Sequence, residues 1–149
     1  MPLLILVILV GAILLIPKTA EGFVRGQAVT LQVESIEDFG CVLRSDAARA
    51  WNEMKSDAAA EGVTLTPKGP NSAFRTHEQQ ETMLAERPDY AAQVDHSPHQ
   101  AGIAVDVDLT KSRALDWLLT NGPDYGWHPL SSSGAKKEPW HFEFLGAPT

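Results

Sequence analysis

The feature that most constrains how this 149-residue chain can fold is the segment Trp140-His141-Phe142-Glu143-Phe144, in which aromatic and polar residues strictly alternate. Side chains along a strand point to opposite faces with a period of two. His141 and Glu143 therefore share one face. Trp140, Phe142 and Phe144 share the other, and an aromatic stripe of that kind belongs in a core. A second segment repeats the pattern, with Ile103, Val105 and Val107 on one side and Asp106 and Asp108 on the other. Placed side by side, the two strands would turn His141 and Asp106 toward one cavity.

The remaining elements fit around such a pair. Ala28 to Val33 alternates like a half-buried strand, and Cys41-Val42-Leu43 is a candidate partner for it. Ser45 or Asp46 can cap a helix over roughly residues 46–60. Ala47, Ala50, Trp51, Met54 and Ala58 recur there at helical spacing, Gly62 offers the stop, and Trp51 and Met54 are core residues. Val63 to Leu65 and Ser72 to Phe74 bracket Pro67-Lys68-Gly69-Pro70, which predicts two strand pieces and a turn. Thr76 and Gln79 fit a capping box, so a second helix begins just after Arg75. A third helix, from Ser112 to Thr120, carries Leu115, Leu118 and Leu119 on one face and ends at Asn121-Gly122. Leu130 to Lys137, with three Ser and a Gly, reads as a loop. The fold class expected is α+β, a small, mostly antiparallel sheet with covering helices.

Leu3 to Ile16 is an unbroken apolar run closed by Pro17 and Lys18. It has the length of a signal-peptide core and is short for a bilayer span, which needs about 20 residues. No Lys or Arg precedes it, and Lys18 to Glu21 is a weak cleavage site, so residues 1–22 are read as a hydrophobic signal peptide or an N-terminal membrane anchor. Export to the periplasm or cell envelope is expected either way. Residues 23–149 then form one domain, enough for a single core, expected to act as a monomer. The net charge of −7 argues against nucleic acid as a partner, because phosphate recognition needs a basic patch. Cys41 is the one cysteine, which excludes an intramolecular disulfide and any zinc cluster that needs two thiolates. It lies in an apolar stretch and reads as a small buried thiol.

A metal site must therefore draw on imidazoles and carboxylates. His99 stands just before the strand that carries Asp106, and His141 faces the same way from the other strand. These are donors that zinc accepts, and three protein ligands leave the fourth position open, as in catalytic zinc sites. Glu138 lies three residues before His141, with Pro139 restricting the backbone between them, where a general base could be held near the metal.

Three ordered motifs then become specific: Ser72-Ala-Phe-Arg75-Thr76, Ser97-x-His99-x-x-Gly102-x-Ala104-x-Asp106, and Glu138-Pro-Trp-His141. Together they resemble those of VanY-type zinc D,D-carboxypeptidases, in the group that includes lysostaphin-like peptidases and the sonic hedgehog domain. The similarity runs from about Val29 to Leu145 and takes in the Tyr125-Gly126-Trp127 segment. The resemblance implies one zinc per chain on His99, Asp106 and His141, Glu138 as catalytic base, and Arg75 as the cation that meets the substrate carbonyl or carboxylate. Ser97 matches a position that helps to hold substrate. The implied substrates are peptidoglycan peptides ending in D-Ala.

Other residues compete for roles. His96, three residues before His99, could compete as a ligand, His128 lies near the expected cavity, His77 falls in the first turn of a helix where nothing calls for chemistry, and Asp108 could hydrogen-bond a ligand imidazole. Two further functions also stay open: an endopeptidase that cuts within the stem or cross-link, and a non-catalytic zinc-containing binding module. The segment Arg87 to Ser97 and the loop Leu130 to Lys137 would wall the cavity and decide between exo- and endo-cleavage.

Overall fold

The structure, a computed structural model, describes residues 18–129 and 138–146. The apolar run Leu3 to Ile16 and the loop Leu130 to Lys137 lie outside the described residues. Among those described, no helix is long and apolar enough to cross a membrane.

Two three-stranded antiparallel sheets organise the chain. The first takes the order β1-β2-β3, with β1 at Thr19–Val24, β2 at Gln27–Ser35 and β3 at Val42–Arg44. A two-residue turn with Arg25 at φ 52° and Gly26 at φ 80° joins β1 to β2, the left-handed pair that matches strand twist in a tight hairpin. Thr19 to Gly22, grouped with the leader on sequence, are thus part of the folded sheet. Their Thr-Ala-Glu-Gly pattern has no alternation to announce a strand. Gly22 is needed there, since a Cβ would come within 2.7 Å of the Gln100 carbonyl oxygen.

β3 runs directly into helix α1, Ser45–Ala60, so Arg44 occupies the cap position and no side chain caps the helix. The expected Ser45 or Asp46 cap does not form. Asp46 instead takes two hydrogen bonds from the Arg44 guanidinium, at 2.6 and 2.8 Å. α1 buries Ala47, Ala48, Trp51, Met54 and Ala58 along one face. It ends in a Schellman arrangement around Gly62 at φ 74°, with Val63 N–H donating to Ala58 O and Gly62 N–H to Ala59 O.

The second sheet takes the order β4-β6-β5, with β4 at Ala104–Asp106, β5 at Trp127–Pro129 and β6 at His141–Phe144. Helix α3, Ala114–Asn121, precedes β5 through a 3-10 turn at Gly122–Tyr125. Its buried face is Ala114, Trp117 and Leu118, while Leu119 is 49% exposed rather than packed. Trp127 meets Trp51 edge-on at 5.3 Å and Phe144 at 5.6 Å, so the aromatic face of this sheet packs onto α1.

The strand pieces expected at Val63 to Leu65 and Ser72 to Phe74 form no ladder, and Ser72 and Ala73 lie in a bend. Single backbone bonds from Ser72, Thr66 and Lys68 meet the end of β4 and the residues after it: Asp106 N–H to Ser72 O, Asp108 N–H to Thr66 O, and Lys68 N–H to Asp106 O. Pro67 and Pro70 have no N–H to donate, so regular pairing stops at one bridge, Pro67 to Val107.

Helix α2, His77–Glu86, starts from the expected capping box of Thr76 and Gln79 and buries only Gln80. With so little apolar surface, it is held by polar contacts. Gln80 Nε2 donates to Ala92 O at 2.9 Å, and His77 Nδ1 lies 2.8 Å from Asp95 Oδ1. Asp95, at φ 66°, also accepts from Gln100 Nε2 and, through its carbonyl, from Gly26 N–H. The chain after α2 is therefore pinned to the first sheet at Asp95.

The hydrogen bond to Asp95 raises the His77 pKa above its ordinary value, against a smaller opposing effect of burial. A raised histidine pKa contributes stability that is complete below the unfolded value of about 6.5 and is lost as pH climbs through the folded value. His77→Gln should therefore lower Tm more at about pH 5.5 than at about pH 8.5. A Tm difference between the two proteins that stays flat across this range would show that the pair does not carry charge-linked stability.

Candidate metal centre

In the antiparallel ladder of β4 and β6, Asp106 and His141 are direct partners. Opposed residues place their side chains on the same face about 5 Å apart. His99 joins them from a helical turn between Ser97 and Ile103, in which Gln100 N–H donates to Ser97 O and Gly102 N–H to His99 O. Gly102 has φ 70° and its carbonyl accepts from Arg44 N–H, and a Cβ there would stand 2.9 Å from that nitrogen. The motif glycine thus lets the turn seat against β3 while aiming His99 at β4.

One ligand atom from each of His99, Asp106 and His141 falls within 4.8 Å of the others. Asp106 Oδ1 lies 3.3 Å from His99 Nε2 and 3.0 Å from His141 Nδ1. The far nitrogens of both rings are occupied. His99 Nδ1 faces Ala73 O at 2.8 Å, and His141 Nε2 faces Glu143 Oε1 at 2.9 Å. A carbonyl and a carboxylate only accept, so both far nitrogens carry a proton, and His99 Nε2 and His141 Nδ1 are the nitrogens that would face a metal, His141 giving up its second proton to bind it. Two imidazole nitrogens and one carboxylate oxygen converging with open space beside them fit a divalent metal of the zinc type.

Electrostatics agree with that fit. Burial keeps His99 below its ordinary pKa and hence neutral, as a ligand must be. Burial opposes ionisation of Asp106, but His99 and His141 overcome it and hold the carboxyl well below the usual range. Burial also opposes a charged His141, yet the hydrogen bonds to Asp106 and Glu143 prevail and push it up to about 9. The site therefore attracts positive charge, which a metal ion supplies in exchange for that proton.

Arg75 is buried, at 6% exposure, and donates from Nη2 to Asp106 Oδ2 at 2.9 Å. Nε donates to Asn71 O at 2.7 Å and Nη1 to Gln80 Oε1 at 3.3 Å. Burial lowers its pKa and Asp106 opposes the drop. Glu138 N-terminally closes a tight turn, its carbonyl accepting from His141 N–H at 3.0 Å, and its side chain lines the same cavity. Burial raises the Glu138 pKa. Ser97 is buried, and its Oγ accepts from His99 N–H at 3.3 Å. All six residues border one cavity of about 650 Å³.

Other candidates fall elsewhere. His96 stacks over Gly26, and Asp108 accepts from Thr110 and pairs with Lys111 instead of supporting a ligand imidazole. His128 lies opposite Glu143 across β5 and β6. Trp140, expected in the core, instead lines the cavity, because the turn from Glu138 ends before β6 begins and frees it from the strand face. Glu143 and Gln80 were not assigned roles from sequence. The alternation of β6 placed Glu143 on the ligand face, whereas nothing in sequence marks Gln80 as the partner of Arg75.

A buried His-Asp-His donor set, with a carboxylate and a guanidinium at the same cavity wall, defines a metal-dependent hydrolase on a small α+β fold. A family model described as VanY, D-alanyl-D-alanine carboxypeptidase, matches residues 40–147. The chain belongs to that family. No curated protein matches it by sequence. Among solved structures, VanYB in complex with D-alanine-D-alanine shares 20% identity, covers 78% of each chain and has a TM-score of 0.67. A variant of the vancomycin resistance D,D-pentapeptidase VanY from a VanB-type cassette, in complex with Zn(II), shares 20% over 83% of each chain, with a TM-score of 0.69. The L,D-carboxypeptidase DacB from Streptococcus pneumoniae shares 20%, covering 87% of this chain and 86% of that one, with a TM-score of 0.56. These likenesses establish the common fold.

Because Glu143 fixes the ring of His141, Glu143→Ala should weaken zinc binding by about 10–100-fold while leaving the far-ultraviolet circular dichroism unchanged. Competition against a chromophoric chelator measures this, and an unaltered affinity would remove Glu143 from the metal centre.

Proposed function

We propose that this chain is a zinc-dependent D,D-carboxypeptidase that removes the terminal D-Ala from peptidoglycan stem peptides or their precursors, outside the cytoplasm. The observation that carries the reading is Asp106, whose Oδ1 faces both ligand imidazoles and whose Oδ2 faces Arg75. One carboxylate joins the metal donors to the cation of the substrate cavity. The VanY relatives bound to D-alanine-D-alanine and to Zn(II) support the same substrate class and metal.

Zinc held by His99, Asp106 and His141 would lower the pKa of water and polarise the scissile carbonyl. Glu138 takes the proton of the attacking water and returns it to the departing amine. Its raised pKa suits both directions of transfer. Three of the five Arg75 N–H groups are committed to Asn71, Gln80 and Asp106, which fixes the guanidinium plane. The other two can meet negative charge developing on the carbonyl oxygen. Ser97, behind His99, lines the cavity where a substrate backbone can reach its hydroxyl.

The test is incubation of zinc-loaded protein with an acylated peptide ending in D-Ala-D-Ala, with products identified by mass. Release of free D-Ala, lost with chelator and restored by zinc, is expected. Glu138→Ala should keep its zinc and lose about 10²–10⁴ in rate. Internal fragments would indicate an endopeptidase, and no cleavage by protein with full metal content would indicate a binding module.

Export rests on the Leu3 to Ile16 run and on the location of the substrate class. Fractionation should recover the protein in the cell envelope or outside the cytoplasm. Alkali extraction with N-terminal sequencing separates a cleaved leader from an anchor. A cytoplasmic pool with an intact N-terminus would overturn this part of the reading.

A further inference from the structure

A carboxypeptidase must sense the free carboxylate that ends its substrate. In the departing amino acid that carboxyl carbon lies only about 2.5 Å from the amine nitrogen, two bonds away. The amine is where Glu138 delivers its proton, so the cation that reads the carboxylate belongs beside Glu138.

Among the described residues, three cations line the cavity: Lys68, Arg75 and Arg87. Arg75 is buried and three of its donors are held by protein oxygens. Arg87 caps the far end of α2, next to Glu86. Lys68 is placed differently. Its backbone N–H donates to Asp106 O at 2.9 Å, and the neighbouring Pro67 bridges Val107, so its position is set by the strand that carries the metal ligand. Its Nζ lies 4.2 Å from the centroid of the Trp140 ring. Trp140 stands two residues after Glu138 on the turn into β6, and the charge of Lys68 helps to hold the Glu138 carboxyl down against burial. Lys68 is solvent-exposed and forms no ion pair among the described residues, where the paired cations include Arg44, Arg49, Lys55, Arg75 and Lys111. A cation resting on an aromatic ring keeps its charge available while losing much of its freedom.

We propose that Lys68, held on the Trp140 ring beside Glu138, receives the C-terminal carboxylate of the departing amino acid and so restricts cleavage to the chain end. This rests on the peptidase reading above, and it names the group that makes the site exo-acting. Lys68 is a specificity residue: it touches the substrate's end and takes no part in the bond change. Nothing in the three sequence motifs includes it.

The experiment compares an acylated peptide ending in D-Ala-D-Ala with its C-terminal amide, on zinc-loaded full-length protein and its Lys68→Gln, Lys68→Arg and Arg87→Gln variants. Hydrolysis is read as kcat/KM, and binding is read by calorimetry in a Glu138→Ala background. Wild type should prefer the free acid by about 10-fold or more. Lys68→Gln should erase that preference by raising KM for the free acid and should keep its zinc, while Lys68→Arg and Arg87→Gln should preserve the preference. An acid-to-amide ratio that survives Lys68→Gln, or that falls in Arg87→Gln instead, overturns the assignment to Lys68 and leaves the peptidase reading standing. If both peptides bind with the expected ratio and neither is cut by wild type, the peptidase reading fails and the carboxylate site stands. Binding of neither peptide overturns both.

Discussion

A carboxylate buried in protein is tolerated only where its lost hydration is replaced, a cost of several kcal/mol otherwise. Asp106 meets that condition with both oxygens engaged, Oδ1 facing two imidazoles and Oδ2 accepting from Arg75. Each partner then needs its own support. Arg75 is satisfied by Asn71 O and Gln80, Gln80 by Ala92 O, His99 by Ala73 O and His141 by Glu143. The polar network therefore extends from the centre of the second sheet to the start of α2 and the wall that follows it. In such a network the members stabilise one another, and deleting one leaves the others unpaired in a low dielectric. This explains why α2 can hold its place with a single buried residue.

The two sheets divide the labour. The aromatic and aliphatic faces of β4, β5 and β6 pack on α1 through Trp51, Trp127, Phe142 and Phe144, which supplies the apolar burial. From the first sheet Leu43 joins that core, while Leu31 and Val33 are buried outside it. Its contribution is positional, since β1 and β3 bind Gln100 and Gly102 and thereby hold the turn that carries His99. A metal ligand on a turn is less constrained than one on a strand. Here the turn is clamped from both sides, by Arg44 N–H on Gly102 O and by Arg75 N–H on His99 O.

Much of this was legible in the chain because the informative signals were periodic. Alternation put Asp106 on one strand and His141 and Glu143 on the other with the correct faces, and the capping box of Thr76 and Gln79 located α2 within a residue. The misses have local causes. Thr19 to Gly22, the first four of the six residues of β1, carry no alternation that sets them apart from the leader. Val63 to Leu65 and Ser72 to Phe74 have strand composition, but Pro67 and Pro70 remove the donors that a ladder needs. Trp140 continued the aromatic stripe in sequence and left it in space, since the Glu138 to His141 turn reorients the residue just before the strand begins. Leu119 kept the helical spacing of Leu115 yet faces outward because Trp117 took the packed position. Periodicity predicts faces well inside an element and poorly at its first residue.

Charge in the cavity follows the same logic as the packing. Arg75 pairs with Asp106 and Glu143 sits on the far nitrogen of His141, while Glu138 lines the same cavity. The carboxylates of Asp106 and Glu143 push His141 up to about 9, their hydrogen bonds outweighing burial, and without that proton they leave the site an excess of negative charge. A divalent cation on the three donors would neutralise it. Lys68 then contributes one further positive charge at the mouth, and a substrate bearing one terminal carboxylate restores balance, whereas an internal peptide segment carries no such charge at the bond that is cut. On the proposed role of Lys68, discrimination between chain ends and chain interiors would rest on charge complementarity at the departing residue, carried by a cation beside the base.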